Sequence, residues 1–113
     1  MLNRTLGCLF ALFLGLPGLP GLVMAEGTDG AQYIEDKGCV GCHGKDGNAM
    51  LMGAPKLGGQ KAGYIVKSLM DYKSGARNNA IMSGFATALS EEEMEAIAKY
   101  FEEQPSTLTV PKH

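Results

Sequence analysis

The five residues Cys39-Val40-Gly41-Cys42-His43 constrain this chain more than any other stretch. Two thiols two residues apart, with a histidine directly after them, admit few readings. They could form a disulfide. A structural zinc site would need four ligands, yet no second cysteine pair follows and the only other histidine is His113, the last residue. A thioredoxin-like redox pair would need a βαβ setting, whereas the residues downstream carry helical patterning. The reading that employs all three side chains is attachment of a c-type haem. The thiols add across the two vinyl groups of one porphyrin, and the imidazole of His43 is held under the iron as an axial ligand. Porphyrin and iron are rigid, so both sulfurs and the ring nitrogen must arrive within one turn of chain.

With 113 residues there is room for one domain, and the first 25 are not expected to belong to it. Arg4 supplies a positive start, Leu6 to Leu16 form an apolar run, and Val23-Met24-Ala25 places small side chains where a signal peptidase reads. The segment predicts a secretory signal peptide cleaved after Ala25. Pro17, Gly18, Pro20 and Gly21 interrupt the run well short of the roughly 20 residues of a spanning helix, which argues against an uncleaved anchor. Cys8 should leave with the signal. A lipoprotein reading of Leu6-Gly7-Cys8 fails because the hydrophobic region follows that cysteine. Export to the periplasm suits the haem expectation, since this attachment takes place outside the cytoplasm on reduced thiols. The remaining domain, residues 26–113, is small for a self-sufficient apolar core. A covalent haem would staple it, and the apo-protein is expected to fold poorly.

Charge is unevenly spread. Residues 37–77 hold Lys37, Lys45, Lys56, Lys61, Lys67, Lys73 and Arg77 against Asp46 and Asp71, while the flanking segments are acidic. Nothing resembles a nucleic-acid-binding stripe, and the basic middle is either a solvated surface or a docking field for a partner.

Asp29 is placed to cap a short helix ending near Lys37, with Tyr33 and Ile34 inward and Gly38 as its stop. Residues 44–59 contain five glycines and Pro55 without periodicity, and predict an ordered loop. Lys61 to Lys73 predicts a second helix, with Ile65, Leu69 and Tyr72 inward and Gly75 after its end. Asn78-Asn79 begins what reads as another irregular stretch, carrying Met82. The last helix is the clearest: Ser90 and Glu93 form a capping box, and Met94, Ile97, Ala98 and Phe101 make an apolar stripe. Pro105 closes it, and residues 106–113 are expected to be a mobile tail. No strand pattern or repeat competes. The expected fold class is all-α, three to four short helices and loops around one haem.

These residues resemble the small class I bacterial cytochromes c, in particular single domains of the cytochrome c4 and c553 type. The resemblance rests on Gly38-Cys39-Val40-Gly41-Cys42-His43-Gly44, Asp46-Gly47, and Pro55-Lys56-Leu57-Gly58-Gly59-Gln60. It continues through Tyr64, Leu69, Gly75-Ala76-Arg77, a downstream methionine, Leu89-Ser90 and Ala98-Lys99-Tyr100-Phe101. It covers nearly all of residues 26–113, in order. It implies that the first and last helices cross, with Gly30 or Tyr33 near Tyr100. Two-haem members carry a second Cys-x-x-Cys-His unit, absent from this sequence, so one haem is expected.

His43 leaves the second axial position of the iron to be assigned. Met70 and Met94 lie in or beside helix stripes and belong with the core. Met50 and Met52 follow His43 too soon to cross easily to the other face of the haem. Met82 is the candidate, in a loop after the middle helix, and in similar cytochromes the ligand stands eight residues before the serine that caps the last helix. The resemblance also implies that the Pro55 carbonyl accepts from the second nitrogen of the His43 ring, tying its orientation and basicity. Tyr64, Gln60 and Arg77 resemble residues near the haem propionates. Arg77 could pair with a propionate carboxylate or be an ordinary solvated arginine.

The function these expectations converge on is periplasmic one-electron transfer between redox proteins, a dehydrogenase or reductase as donor and an oxidase or reductase as acceptor. No convincing carboxylate pair, phosphate loop or second histidine near the haem points to an enzyme. Two alternatives remain open: a cytochrome subunit of a periplasmic dehydrogenase, and a small peroxidase or gas-binding protein with Met82 off the iron.

Overall fold

The computed structural model describes residues 29–107, together with Leu14, Gly15, Pro17, Gly18 and Gly21. The rest of the expected signal peptide, and residues 108–113 of the expected tail, lie outside the described residues. Among the described residues five helices follow one another: α1 (Gly30–Asp36), α2 (Val40–His43), α3 (Ala62–Ser74), α4 (Ala80–Thr87) and α5 (Glu91–Glu102). The described residues contain no strand, so the architecture is the all-α one expected.

Helix α5 organises the others because its two ends and its inner face are all specified. The Ser90 hydroxyl accepts the Glu93 N–H at 3.1 Å, and the Glu93 carboxylate accepts the Ser90 N–H at 2.9 Å. Two of the four orphan donors at the helix start are thereby satisfied. Glu91, Glu92 and Glu93 place negative charge at the positive end of the helix dipole. Its stripe, Met94, Ile97, Ala98 and Phe101, is buried, and α5 packs against α1 and α3 while α4 packs on α3. The core adds Ile34, Ile65, Leu69, Ala86 and Leu89. Full burial of a side chain such as Phe101 or Ile34 stabilises by about 1.5–3 kcal/mol.

Helix α1 begins where the Asp29 carboxylate accepts the Ala31 N–H at 3.0 Å. It crosses α5 at Gly30, and only a residue without a side chain fits there: a Cβ would run into the carbonyl oxygen of Ala96 and sit 2.7 Å from Tyr100 Cβ. The Tyr100 hydroxyl then donates to the Lys45 carbonyl at 2.7 Å, tying the crossing to the loop after α2.

That loop is ordered by returning to the residues before it. The Ala49 N–H bonds the His43 carbonyl at 2.8 Å and the Met50 N–H the Cys42 carbonyl at 2.9 Å, satisfying acceptors at the end of α2. Gly47 accepts from the N–H groups of Leu57 (2.6 Å) and Gly58 (3.0 Å). Its φ is +72°, and a Cβ would lie 2.9 Å from Phe101 Cδ1, so this close approach of loop to α5 needs glycine.

Two expectations change here. The stretch from Asn79 is helical: its side chain accepts from the N–H groups of Ile81 (3.1 Å) and Met82 (3.0 Å), starting α4. Met82 therefore sits in the first turn of a helix and not in a loop. Met70 is not core; it is 39% exposed on α3, whereas Met94 is fully buried. Within the expected tail, Thr107 accepts from Lys56 Nζ at 3.2 Å and donates to Asn48 Oδ1 at 2.9 Å.

Candidate haem site

Cys39 to His43 fall in a single turn, with Cys39 as the N-cap of α2 and Cys42 and His43 within it. The thiols of Cys39 and Cys42 are free and half-buried. Burial pushes the Cys39 thiol up from its ordinary value, so at neutral pH it remains a thiol. His43 is buried, at 6% exposure. Its Nδ1–H donates to the Pro55 carbonyl at 2.9 Å, which assigns the ring tautomer and leaves the Nε2 lone pair available to a metal. Phe101 backs the imidazole edge-on, the ring centroids 6.5 Å apart at 63°, and Phe101 is itself edge-on to Tyr100 at 5.6 Å. The helix crossing at Gly30 thus reaches the histidine through two adjacent aromatic rings.

A cavity of about 350 Å³ opens beside this turn. Its walls include Cys39, Cys42, His43 and Pro55 from the motif and loop, Leu69 from α3, Ile81, Met82 and Phe85 from α4, then Leu89, and Ile97 from α5. Leu51, Met52, Gly53, Ala54, Asn79, Gly38 and Lys37 complete it. Four large apolar side chains on its walls lie open: Leu51 at 56%, Met52 at 104%, Ile81 at 67% and Phe85 at 42% exposure. A cluster of this kind is a surface that something apolar covers. A flat porphyrin held by two thioethers on Cys39 and Cys42 matches it, with the His43 nitrogen and the Met82 thioether on the same cavity as donors suited to haem iron.

The remaining residues singled out from the sequence lie elsewhere. Tyr64 is 55% exposed on α3 and is not part of the cavity wall. The Arg77 guanidinium stacks 4.8 Å above the Tyr72 ring and reaches Ser68 Oγ at 3.4 Å, also off the cavity. The Gln60 side chain accepts the N–H of Lys61 at 2.9 Å. Met50 is exposed and does not line the cavity, whereas Met52 does. Sequence reasoning missed Lys37, Met52, Asn79 and Phe85 as cavity residues. Asn79 carried a usable signal, a capping residue three positions before Met82. Among the described residues no group of three or more His, Cys, Asp and Glu is arranged to hold a metal ion.

Comparison with known proteins agrees with this geometry. The family model described as Cytochrome c matches residues 27–104. A thiosulfate dehydrogenase electron acceptor from Stutzerimonas stutzeri is 40% identical over 102 residues, covering 80% of this chain and 47% of the relative. A cytochrome c4 from Pseudomonas aeruginosa is 41% identical over 96 residues, covering 85% and 47%. The cytochrome subunit of sulfide dehydrogenase from Chlorobaculum tepidum is 36% identical over 74 residues, 66% of each chain. The chain spans about half the length of the first two. With a family match across most of its length and a single Cys-x-x-Cys-His turn on an apolar cavity, the chain belongs to the cytochrome c family, as a small class I member whose cofactor is one haem c bound through Cys39 and Cys42.

Proposed function

We propose that this chain is a one-electron carrier between larger redox proteins, with His43 and Met82 as the residues that would hold its haem iron. The observation that carries the reading is the cavity itself. A buried imidazole, oriented by the Pro55 carbonyl at 2.9 Å, shares one apolar cavity with two free thiols and a methionine set by a helix cap. Haem c, when bound, supplies a one-electron couple at its iron. The residues around it do three things. Cys39 and Cys42 anchor the group, and His43 is kept in one tautomer, with its Nε2 lone pair available to the iron. Asn79, by bonding the Met82 N–H, fixes the backbone that presents the thioether. None of these steps moves a proton or activates a nucleophile, so no catalytic residue is assigned. Tyr64 and Arg77 do not line the cavity, and the role the resemblance implies for them is beside the propionates of the bound group, Arg77 pairing with a propionate carboxylate.

The expected signal peptide supports a periplasmic location, and no described helix is long and apolar enough to cross a membrane. The optical spectrum of the haem-loaded protein tests the reading. A ferric band diagnostic of methionine–iron bonding, lost in Met82→Ala, and no carbon monoxide uptake by the wild type are the expected results. A high-spin spectrum, or ready carbon monoxide binding by the wild type, would overturn it in favour of a peroxidase or gas-binding protein.

A second reading is favoured by the names of two relatives, a thiosulfate dehydrogenase electron acceptor and a cytochrome subunit of sulfide dehydrogenase. On it, the same haem chemistry serves a stable complex with a periplasmic dehydrogenase. Copurification in stoichiometric amounts with such an enzyme from the native source supports the subunit, and purification alone supports the carrier.

A further inference from the structure

The haem cavity has an almost uncharged wall. Among the described residues that line it, Lys37 is the only lysine, arginine, aspartate or glutamate. It stands two residues before Cys39, and its Nζ lies 3.0 Å from Glu93 Oε1, the two side chains being 33% and 19% exposed. Glu93 is well placed for this contact because its other carboxylate oxygen is committed to the Ser90 N–H at 2.9 Å. The Ser90 N–H, and then the Lys37 ammonium, hold the Glu93 carboxyl below its usual range. The contrast with other cations is clear. Lys45 pairs with Glu35 at 3.1 Å, but those side chains are 73% and 51% exposed and neither lines the cavity.

Oxidation adds a unit positive charge at the iron. A nearby ammonium opposes that addition and a nearby carboxylate favours it, and both effects are screened less where water is partly excluded. In Lys37–Glu93 the two oppose each other across a 3.0 Å contact. We propose that Glu93 is a potential-setting residue, neutralising Lys37 so that the one fixed charge of the cavity wall does not bias the ferric–ferrous balance. Lys37 and Glu93 act through the field they produce and touch no reacting atom, so they are positioning residues. The proposal rests on the carrier reading above, since it requires a redox-active haem in this cavity.

The test is a spectroelectrochemical titration of the haem-loaded protein at fixed neutral pH and ionic strength. The variants are Glu93→Gln, Lys37→Gln, the double variant and Lys45→Gln. Glutamine can fill the same place in a capping box, so Glu93→Gln keeps α5 capped while leaving Lys37 uncompensated. Its midpoint potential should rise. Lys37→Gln leaves the carboxylate uncompensated, and its potential should fall. The double variant should return close to wild type, and Lys45→Gln should stay there. Single variants that do not move, that move in the same direction, or that move no more than Lys45→Gln, all with unaltered ferric spectra, would overturn the proposal. A wild-type protein without covalently bound, low-spin haem would instead sink the carrier reading, and this inference with it. The two failures are told apart by the wild-type spectrum alone.

Discussion

Replacing Gly30 by alanine sets two physical effects against each other, and the structure says which wins. An alanine in a helix is favoured over glycine by about 1 kcal/mol, and less at the first helical position. By that argument Gly30→Ala stabilises. At this position, however, the new Cβ would collide with the Ala96 carbonyl oxygen, lie 3.0 Å from Ala96 C and 2.7 Å from Tyr100 Cβ, where ordinary contact begins near 3.4 Å. The obstructing atoms belong to the backbone and the root of a side chain, so no rotamer change relieves them. Helix α1 has to move away from α5, loosening Ile34 and Phe101, both fully buried. Overpacking of this kind costs about 1–3 kcal/mol, leaving a net loss of up to roughly 2 kcal/mol after the propensity gain. At about 4–8 °C per kcal/mol for a domain of this size, the midpoint of thermal unfolding should drop by up to about 15 °C. Gly63→Ala is the control: Gly63 lies within α3 and a Cβ there meets nothing within 4 Å, so the same propensity gain should appear without the clash. Circular dichroism melts of the two haem-loaded variants give the answer. A Gly30→Ala melt at or above wild type would show that the helix crossing does not depend on this contact.

Two further outcomes are expected. Asn79→Ala removes the side chain that caps α4 at two N–H groups and should cost about 1–2 kcal/mol; because Met82 carries one of those N–H groups, carbon monoxide uptake by the ferrous protein should also become detectable, and a variant that melts lower but still excludes the gas would separate the cap from ligation. The Asp46 carboxyl is held below its usual range by the Asn48 side chain and backbone N–H, so its contribution to stability is present above the ordinary carboxylate range and lost as pH falls through the lowered folded value. Melts from neutral to acidic pH should therefore decline less steeply in Asp46→Asn than in wild type, and parallel profiles would refute that account.

Much of this protein is legible in the order of its residues because the deciding interactions are short-range. The Cys39–His43 spacing is set by a rigid cofactor within one turn. The Asp29 cap, the Ser90–Glu93 box and the stripe of α5 are all relations between residues two to four apart, and each is present where the sequence placed it. The α3 boundaries differ by a single residue at each end, Ala62–Ser74 against 61–73. Helix α4 was missed because Ser83 and Gly84 weaken its propensity. What sustains it is tertiary: Ala86 is fully buried and the helix packs on α3.

Long side chains are where sequence reasoning stops. The stacking of the Arg77 guanidinium on the Tyr72 ring depends on how both side chains leave the end of α3. Lys37 could be counted as part of a basic segment, but its pairing with Glu93 and its place on the cavity wall exist only once α1 and α5 have crossed at Gly30. The sequence by itself determined the cofactor, its covalent anchors and the local helix signals, since these are written in spacings of a few residues. Only the tertiary structure decided which charges, thioethers and apolar side chains share the haem's cavity, because that depends on how helices distant in the chain pack against one another.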